Sequence, residues 1–593
     1  MGTKNPDNKR SVIIANCSGF FGDRLSAAKE MVEGGPIDIL TGDYLAELTM
    51  ALLFRLKMKN PEAGFASTFL KQMEEVMGTC LDKGIRVVAN AGGLGPKALV
   101  NELKKIAATL GLSPKIAYIE GDDLMGNLAG LQEMGEAFIH MDKGISLKES
   151  GSMPITANAY LGGWGIVEAL NEGADIVVGG RIADASLTVG PAAWWFGWKR
   201  NDWDRIAGAS VAGHIIECGA QATGGNYSFI NEVPSFINVG YPIAEIFEDG
   251  SSIITKHPGT GGLVSVDTVK AQLLYEVRGP GYLTPDVIAR FDTIEISQEG
   301  PDRTKIAGVR GEAPPETTKV CINNLGGHRN SMTIVLTGLD IEKKAKIFED
   351  ALFASLGGRG KYAVEDIQLI MSNKEDPETN DEAFAYLRVS VMDPDAKKVA
   401  KFSSKIVELG LANIPGFTAT APPGKGSPAI IHWPSLISQR HIQQKVILDE
   451  RVTIIESVSP GSAVNAIIAN PVKIPPKPEG KTVRIPFGRV FATRSGDKGG
   501  NANLGVWAKS PEAYAFLRDF LTIEKLKELL KDISAFEMER YDFPNLLAVN
   551  FYIKGVLGEG VAASLRSDPQ AKTLGEYLRA KIIDLPEVIA PKS

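Results

Sequence analysis

Five short runs of β-branched and aliphatic residues constrain this chain more than any other feature. They are Val12–Ala15, Ile37–Leu40, Ile85–Ala89, Lys115–Ile119 and Asp175–Val178. Each is followed by a polar, Gly-rich loop and most by a stretch with helical periodicity. The runs are predominantly apolar rather than alternating, as strands are when helices cover both faces of a parallel sheet. Between them, Ala66–Leu81 and Lys97–Leu110 place apolar residues at helical spacing. Pro96 opens the second at a first helical position, where a missing N–H costs nothing.

The rhythm predicts an α/β fold with a parallel, Rossmann-like sheet over about the first 200 residues. From about residue 201 to 470 the pattern changes. Strand-like segments such as Lys319–Ile322, Ser331–Leu336 and Tyr386–Val391 alternate with Gly- and Pro-rich turns, which predicts an α+β second half. The proline-rich stretch Pro471–Gly480 favours extended backbone and is expected to be an interdomain linker. Beyond it, residues 481–593 carry strand-like Thr482–Thr493, Asn503–Ala508 and Leu546–Ile553 with helical Ile523–Leu530 and Leu574–Ile582, a small α+β domain. The expected boundaries are therefore 1–470, with subdomains of about 1–200 and 201–470, then 471–480 and 481–593.

Charge and composition remove several function classes. The 64 Lys and Arg stand against 71 Asp and Glu, for a net charge of -7, with no basic run to neutralise successive phosphates. Nucleic acid is not an expected partner. No apolar stretch approaches the roughly 20 residues of a membrane span. The first ten residues lack an apolar targeting core, Pro6 stands where a myristoylation signal needs Ser or Thr, and Pro591-Lys592-Ser593 is no peroxisomal address. The four cysteines are too widely spaced for a disulfide framework or a C-x-x-C site. A cytoplasmic protein, assembling as a homo-oligomer, is expected.

The loops carry the chemistry. Asp23-Arg24 follows the first run, Asp43-Tyr44 with Glu47 the second, Asn90 with Gly92-Gly93 the third, Asp122-Asp123 the fourth, and Arg181 with Asp184 the fifth. In an open parallel sheet all carboxyl ends lie on one edge, so these loops should border one crevice. Any one of them is explained by ordinary turn and N-cap chemistry. Acidic and basic groups recurring on successive strands are not. Asp23, Asp43 and Glu217 are candidate proton-transfer groups, and Arg24 and Arg181 candidate carboxylate holders. A guanidinium at a strand's end is better explained by anion recognition than by core packing. The amides of Gly92 and Gly93 are placed to face an oxyanion, with Tyr44, Asn90, Asp122, Asp123 and Asp184 as further substrate contacts.

Other motifs bound the alternatives. Gly93-Leu94-Gly95-Pro96-Lys97-Ala98 matches a dinucleotide-binding pattern, with Glu120 ending the next run. It lies on the third run rather than the first, and Pro96 removes an N–H that a pyrophosphate would use. An NAD(P)-dependent oxidoreductase is the alternative it supports. Gly424-Lys425 is followed by Gly426, so no Walker A exists, and none of the six histidines has zinc-site spacing. His214, Glu217 and Cys218 stand close together before a Gly-rich segment. Asp43, Glu47, Asp122, Asp123 and Asp184 offer oxygen ligands for a divalent metal, but no spacing fixes a site.

The loops described, Ala157–Gly162 leading to Gly173–Arg181, and Ala212–Gly219 together resemble the acyclic terpene utilisation (AtuA) family. Ala492–Asn503 is similar to the signature of the ferredoxin-like domain that follows in two-domain members. The resemblance spans nearly the whole chain. It implies a role in catabolism of citronellol, geraniol or similar branched acids, whose intermediates travel as CoA thioesters, and a proposed family role is cleavage of a branched 3-hydroxyglutaryl-CoA to release acetate. The expected function is a lyase on a branched 3-hydroxy acyl-CoA or free hydroxy acid, by hydration, dehydration or retro-aldol cleavage, with a small branched acyl molecule as partner and no cofactor required. A non-catalytic scaffold for an acyl intermediate is a further alternative. Arg494, Asp497, Lys498 and Asn501 exceed what a hairpin turn demands. They are expected to dock against the first domain's cleft and to add positive charge facing an acidic ligand.

Overall fold

The structure, a computed structural model, describes residues 10–456, 469 and 471–591. The expectations placed on Pro6, Asn470, Lys592 and Ser593 lie outside the described residues. The five runs become β1 (Val12–Asn16), β2 (Ile39–Gly42), β3 (Arg86–Ala89), β4 (Ile116–Glu120) and β5 (Ile176–Gly179). They are mutually parallel, in the spatial order β1-β2-β3-β5-β4. β2 and β5 are buried at every position, as continuous apolar runs require. Helix Ser67–Lys83 ends at Gly84, whose φ of 69° turns the chain into β3. Helix Pro96–Thr109 has Pro96 in its first turn. Helix Trp203–Ile216 is apolar all round and buried from Ile206 onward, and it delivers Glu217 and Cys218 from its C-terminal end.

The expectation of a parallel, Rossmann-like sheet is corrected: the sheet is mixed and has 11 strands among the described residues. Pro242–Ile246 pairs antiparallel with β1 and is followed outward by Ser252–Lys256, Arg303–Ala307 and Glu295–Gly300. On the other side Gln444–Leu448 pairs antiparallel with β4 and carries Arg451–Ile455. A parallel core leaves two rows of unpaired backbone groups at its edges, and these strands from beyond residue 200 satisfy them. No sheet boundary therefore falls near residue 200.

The chain forms two compact units. The first comprises residues 1–323, 433–557 and 570–593, and the second 324–432 and 558–569. In the second unit, Val364–Ile370 and Phe384–Asp393 pair antiparallel, and helices Ile341–Ser355 and Ala396–Glu408 cover a core containing Phe348, Leu352, Val389, Phe402 and Ile406. Arg329 Nη1 donates to the Ser564 carbonyl at 2.8 Å and Arg388 Nη1 to Ser567 Oγ at 3.0 Å, tying in the 558–569 loop. Lys319–Ile322 and Ser331–Leu336, expected as separate strands, are parts of one strand, Thr317–Thr337. Gly326 and Gly327 lie inside it rather than in a turn.

Residues 471–480 contain no helix or strand. After them comes a small antiparallel sheet in the order Ala492–Lys498, Asn501–Trp507, Ala548–Ile553, Met538–Phe543, with helices Pro511–Phe520, Ile523–Leu529 and Leu574–Arg579. It is an α+β, ferredoxin-like arrangement belonging to the first unit. Ala492, Trp507, Phe543, Leu546 and Ala548 share one core cluster with Val12, Ile14 and Ile39. No described helix is long and apolar enough to cross a membrane.

Candidate functional site

A cavity of about 770 Å³ lies in the first unit, at the carboxyl ends of β1, β2 and β5. Asp23, Asp43, Arg181, Asp184 and Glu217 line it, and Asp497, Lys498 and Asn501 reach it from the C-terminal sheet. The expected loop Arg494–Asn503 is in fact a hairpin, with Lys498 and Asn501 paired at its end.

Burial sets the electrostatics. Asp43 accepts from the Leu45 amide at 3.1 Å and from Asn90 Nδ2 at 2.6 Å. Desolvation first, then the negative charge of Asp184, pushes the Asp43 carboxyl well above the usual range. Glu217 is raised by the same two causes, with Glu276 adding to them. Its Oε1 lies 3.2 Å from His214 Nδ1, while its Oε2 is buried with no partner among the described residues. His214 packs at a tilt against Tyr282 and Phe291, and burial lowers its imidazole to about 4, so the ring is neutral near pH 7. Burial, above all, pushes the Cys218 thiol well above its usual range. Asp497 rises to about 7, through desolvation and then the charge of Glu276.

Arg181 is 2% exposed. Its Nη1 donates to Asp184 Oδ1 at 2.5 Å, its guanidinium lies 4.1 Å from the Tyr160 ring centre, and its Nε has no partner among the described residues. It is thus packed as well as charged. Lys319 covers the same ring at 5.1 Å and pairs with Glu47 at 2.7 Å. The side chain of Lys498 has no hydrogen-bond or ion-pair partner among the described residues.

The remaining candidates are engaged by the fold. Asp23 lines the cavity, but it accepts from the amides of Gly19 and Arg24 at 2.8 Å each and from the Tyr241 hydroxyl. Arg24 pairs with Glu30 at 2.7 Å and donates to the Val239 carbonyl at 2.8 Å, so its guanidinium is used by the fold. Tyr44 bonds to Gln72, and Asn90 joins the Tyr44 amide to Asp43. Asp122 accepts from the Arg181 amide and from Asn158 Nδ2, both at 2.8 Å, and burial raises it to about 6. Asp123 is exposed and caps the Met125 amide. Arg494 bonds to Gln221 and lies 4.3 Å from the Tyr275 ring centre, so its charge supports the wall rather than forming it.

The oxyanion expectation for Gly92 and Gly93 is corrected. Gly92 N–H donates to the Gly179 carbonyl at 2.9 Å and Gly93 N–H to the Asn90 carbonyl at 3.3 Å. Leu94 and Gly95 donate to the carbonyls of Gly64 and Gly92 at 2.7 and 2.8 Å. A Cβ on Gly93 would stand 2.2 Å from Leu53 Cδ1, so the loop is also covered. The amides from Gly92 to Gly95 that a pyrophosphate would need are already engaged.

Among the described residues no three His, Cys, Asp or Glu side chains stand together as a metal-binding set. The five carboxylates expected to offer one do not converge: Asp43, Asp184 and Glu47 line the cavity, Glu47 paired with Lys319, while Asp122 is buried and Asp123 faces out. Sequence reasoning missed Tyr160, Glu276, Lys319 and Lys572, all of which line the cavity. Tyr160, Glu276 and Lys319 do not follow any of the five strand-like runs, so the reading of strand-end loops passed over them.

Fold and site together define an α/β chain with a carboxyl-rich cavity that a small ferredoxin-like domain helps to wall. The family model for the acyclic terpene utilisation family protein AtuA matches residues 12–448, and that for the AtuA ferredoxin-like domain matches residues 485–584. The chain belongs to the acyclic terpene utilisation family, in its form with a C-terminal ferredoxin-like domain. Membership supports a general role in catabolism of acyclic terpenes or related branched acids. A search of curated proteins returned no match.

Proposed function

We propose that the chain is a lyase acting on a branched 3-hydroxy acyl substrate, carried as a CoA thioester or as the free acid. The observation that carries this reading is the meeting of the buried carboxyls Asp43 and Glu217, both raised above the usual range by desolvation, with the cations Arg181 and Lys498 in one cavity. Dehydration and retro-aldol cleavage of a 3-hydroxy acyl group both need a proton donor, a base and a positive group beside the enolate oxygen. Asp43 and Glu217 supply protons, Arg181 holds the charge that develops, and the unpaired ammonium of Lys498 receives a carboxylate or thioester oxygen. Asp23, tied to three donors, orders the Gly19 loop. Phe20, Met141, Leu283 and Leu436 line the same cavity while remaining exposed, a surface suited to a branched alkyl chain.

The test is incubation of the purified protein with a panel of branched 3-hydroxy acyl-CoAs and their free acids, with and without NAD(P)+ and Mg2+, followed by mass spectrometry. A shortened acid or thioester, or an unsaturated product, supports the lyase reading. NAD(P)-dependent oxidation without cleavage favours an oxidoreductase, although the engaged amides of the Gly93–Ala98 loop supply no phosphate cradle. Binding without turnover favours a scaffold.

A further inference from the structure

Glu276 enters the cavity just after helix Val266–Leu273. Its backbone is left-handed, with φ 58°, a conformation that a side chain of its size adopts only when the surroundings impose it. The C-terminal sheet imposes it here. Glu276 N–H donates to Asn503 Oδ1 at 2.9 Å, and Asn503 Nδ2 donates to the Leu274 carbonyl at 2.6 Å. Asn550 Nδ2 donates to the carbonyls of Val277 and Arg278 at 3.0 Å each, and the two asparagines are joined at 2.9 Å. Both are fully buried. They therefore spend nearly all their hydrogen-bonding capacity on one short segment.

That arrangement places a carboxylate. The Glu276 side chain has no hydrogen-bond or ion-pair partner among the described residues, and its charge acts on Glu217, Cys218, Tyr275, Tyr282 and Asp497. Strain combined with an unengaged charged group in a cavity serves a ligand rather than the fold.

We propose that Glu276 is the general base of this cavity, with Asn503 and Asn550 holding its backbone in place. The proposal rests on the lyase reading, in which Asp43 and Glu217 act as acids and a separate group must take up the hydroxyl proton. In retro-aldol cleavage the C3 hydroxyl proton passes to Glu276 and the C2–C3 electron pair moves onto the substrate carbonyl as an enolate. Glu217 then protonates C2. The products are a ketone and a shortened acid or thioester, and the proton on Glu276 returns to Glu217 through solvent, so no oxidant or reductant is needed.

The experiment compares wild type with Glu276→Gln, Glu276→Asp and Glu276→Ala, using 3-hydroxy-3-methylglutaryl-CoA, its free acid and longer-branched analogues as probes. Glu276→Gln should lower kcat on the order of 100-fold or more with KM changed less than about threefold. Glu276→Asp should keep part of the activity, and added formate should restore turnover to Glu276→Ala, a rescue that a structural role would not show. Glu276→Gln retaining kcat within about threefold of wild type, or the Ala variant failing to respond to formate while Gln and Asp lose activity equally, overturns the base role alone. No turnover by wild type on any probe overturns the lyase reading and the base role with it.

Discussion

Asp122 and His214 show how single buried groups set the pH behaviour of the fold. Asp122 titrates at about 6 in the folded protein against an ordinary value of 3.8. The native state therefore binds the extra proton, and the stability from this group, complete below about pH 4, is lost as pH rises toward 6. His214 works in the opposite sense. With its folded value near 4 and an ordinary value of 6.5, it adds stability as pH rises across that window. Asp122→Asn keeps an acceptor for the Arg181 amide and the Asn158 side chain. It should stabilise the protein at pH 7.5 by about 1–3 kcal/mol, with little effect at pH 4, as read from urea denaturation at both pH values. Equal changes at the two pH values would contradict the assignment. Arg181→Ala leaves Asp184 without its cation and empties the space over Tyr160, so it should cost about 3 kcal/mol of stability as well as turnover. An unchanged denaturation midpoint with lost activity would restore the purely recognitional role expected from sequence. Asp43, Glu217 and Arg181 were legible because charged groups at the ends of buried strands, or beside a helix terminus and a Gly-rich loop, demand an explanation. Glu276 was not, because its significance lies in a backbone angle and two asparagines more than 220 positions away.

At the scale of elements, the five parallel strands could be read because each is a short apolar run buried on both faces. The antiparallel flanks could not, since nothing in Pro242–Ile246 or Gln444–Leu448 states which open edge it will complete. The strand Asn501–Trp507 misleads in a more specific way. Its alternation of Asn, Ala, Asn, Leu, Gly, Val, Trp is that of a strand with one solvated face, yet all its residues are buried. Ala502, Leu504 and Val506 pack into the domain's own core, while Asn503 and Gly505 meet Leu274–Arg278. Gly505 is there for that close approach: a Cβ would lie 2.6 Å from Leu274 Cβ and 3.2 Å from the Leu274 carbonyl oxygen. Gly505→Ala should cost roughly 1–3 kcal/mol by overpacking and, by displacing the segment that carries Glu276, should lower turnover. Gly126→Ala is the control, because a Cβ there meets nothing within 4 Å. Matching melting temperatures for the two variants would show that the sheet and the segment move apart at little cost.

For the whole molecule, the proline-rich stretch separates sequence regions without separating folding units, and that makes its two sides unequal. Residues 481–593 have a core of their own, with Phe491, Leu504, Val506, Leu517, Val549 and Phe551 all buried. The face they turn toward the rest of the first unit mixes Trp507, Phe543 and Leu546 with Lys498, Asn501, Asn503 and Asn550, polar groups that water can satisfy. Residues 1–480 are left worse off. They lose Trp507, Phe543 and Leu546 from the central core, and the hydroxyl of Ser228 loses its two bonds to the Thr493 backbone, at 2.7 and 3.0 Å. The carbonyls of Phe291 and Ile294 lose Asn545 at 2.9 Å each. The second unit loses the 558–569 loop as well. Exposed apolar core and orphaned carbonyls drive association. Expressed separately, 481–593 should be soluble with a cooperative thermal transition, whereas 1–480 should aggregate or bind a hydrophobic dye strongly, and co-expression with 481–593 should return it to the soluble fraction. Light scattering and dye fluorescence decide the matter: a monodisperse, dye-silent 1–480 with a sharp melt would mean that the shared core contributes little and that the wall formed by Asp497, Lys498 and Asn501 is an addition to a finished fold.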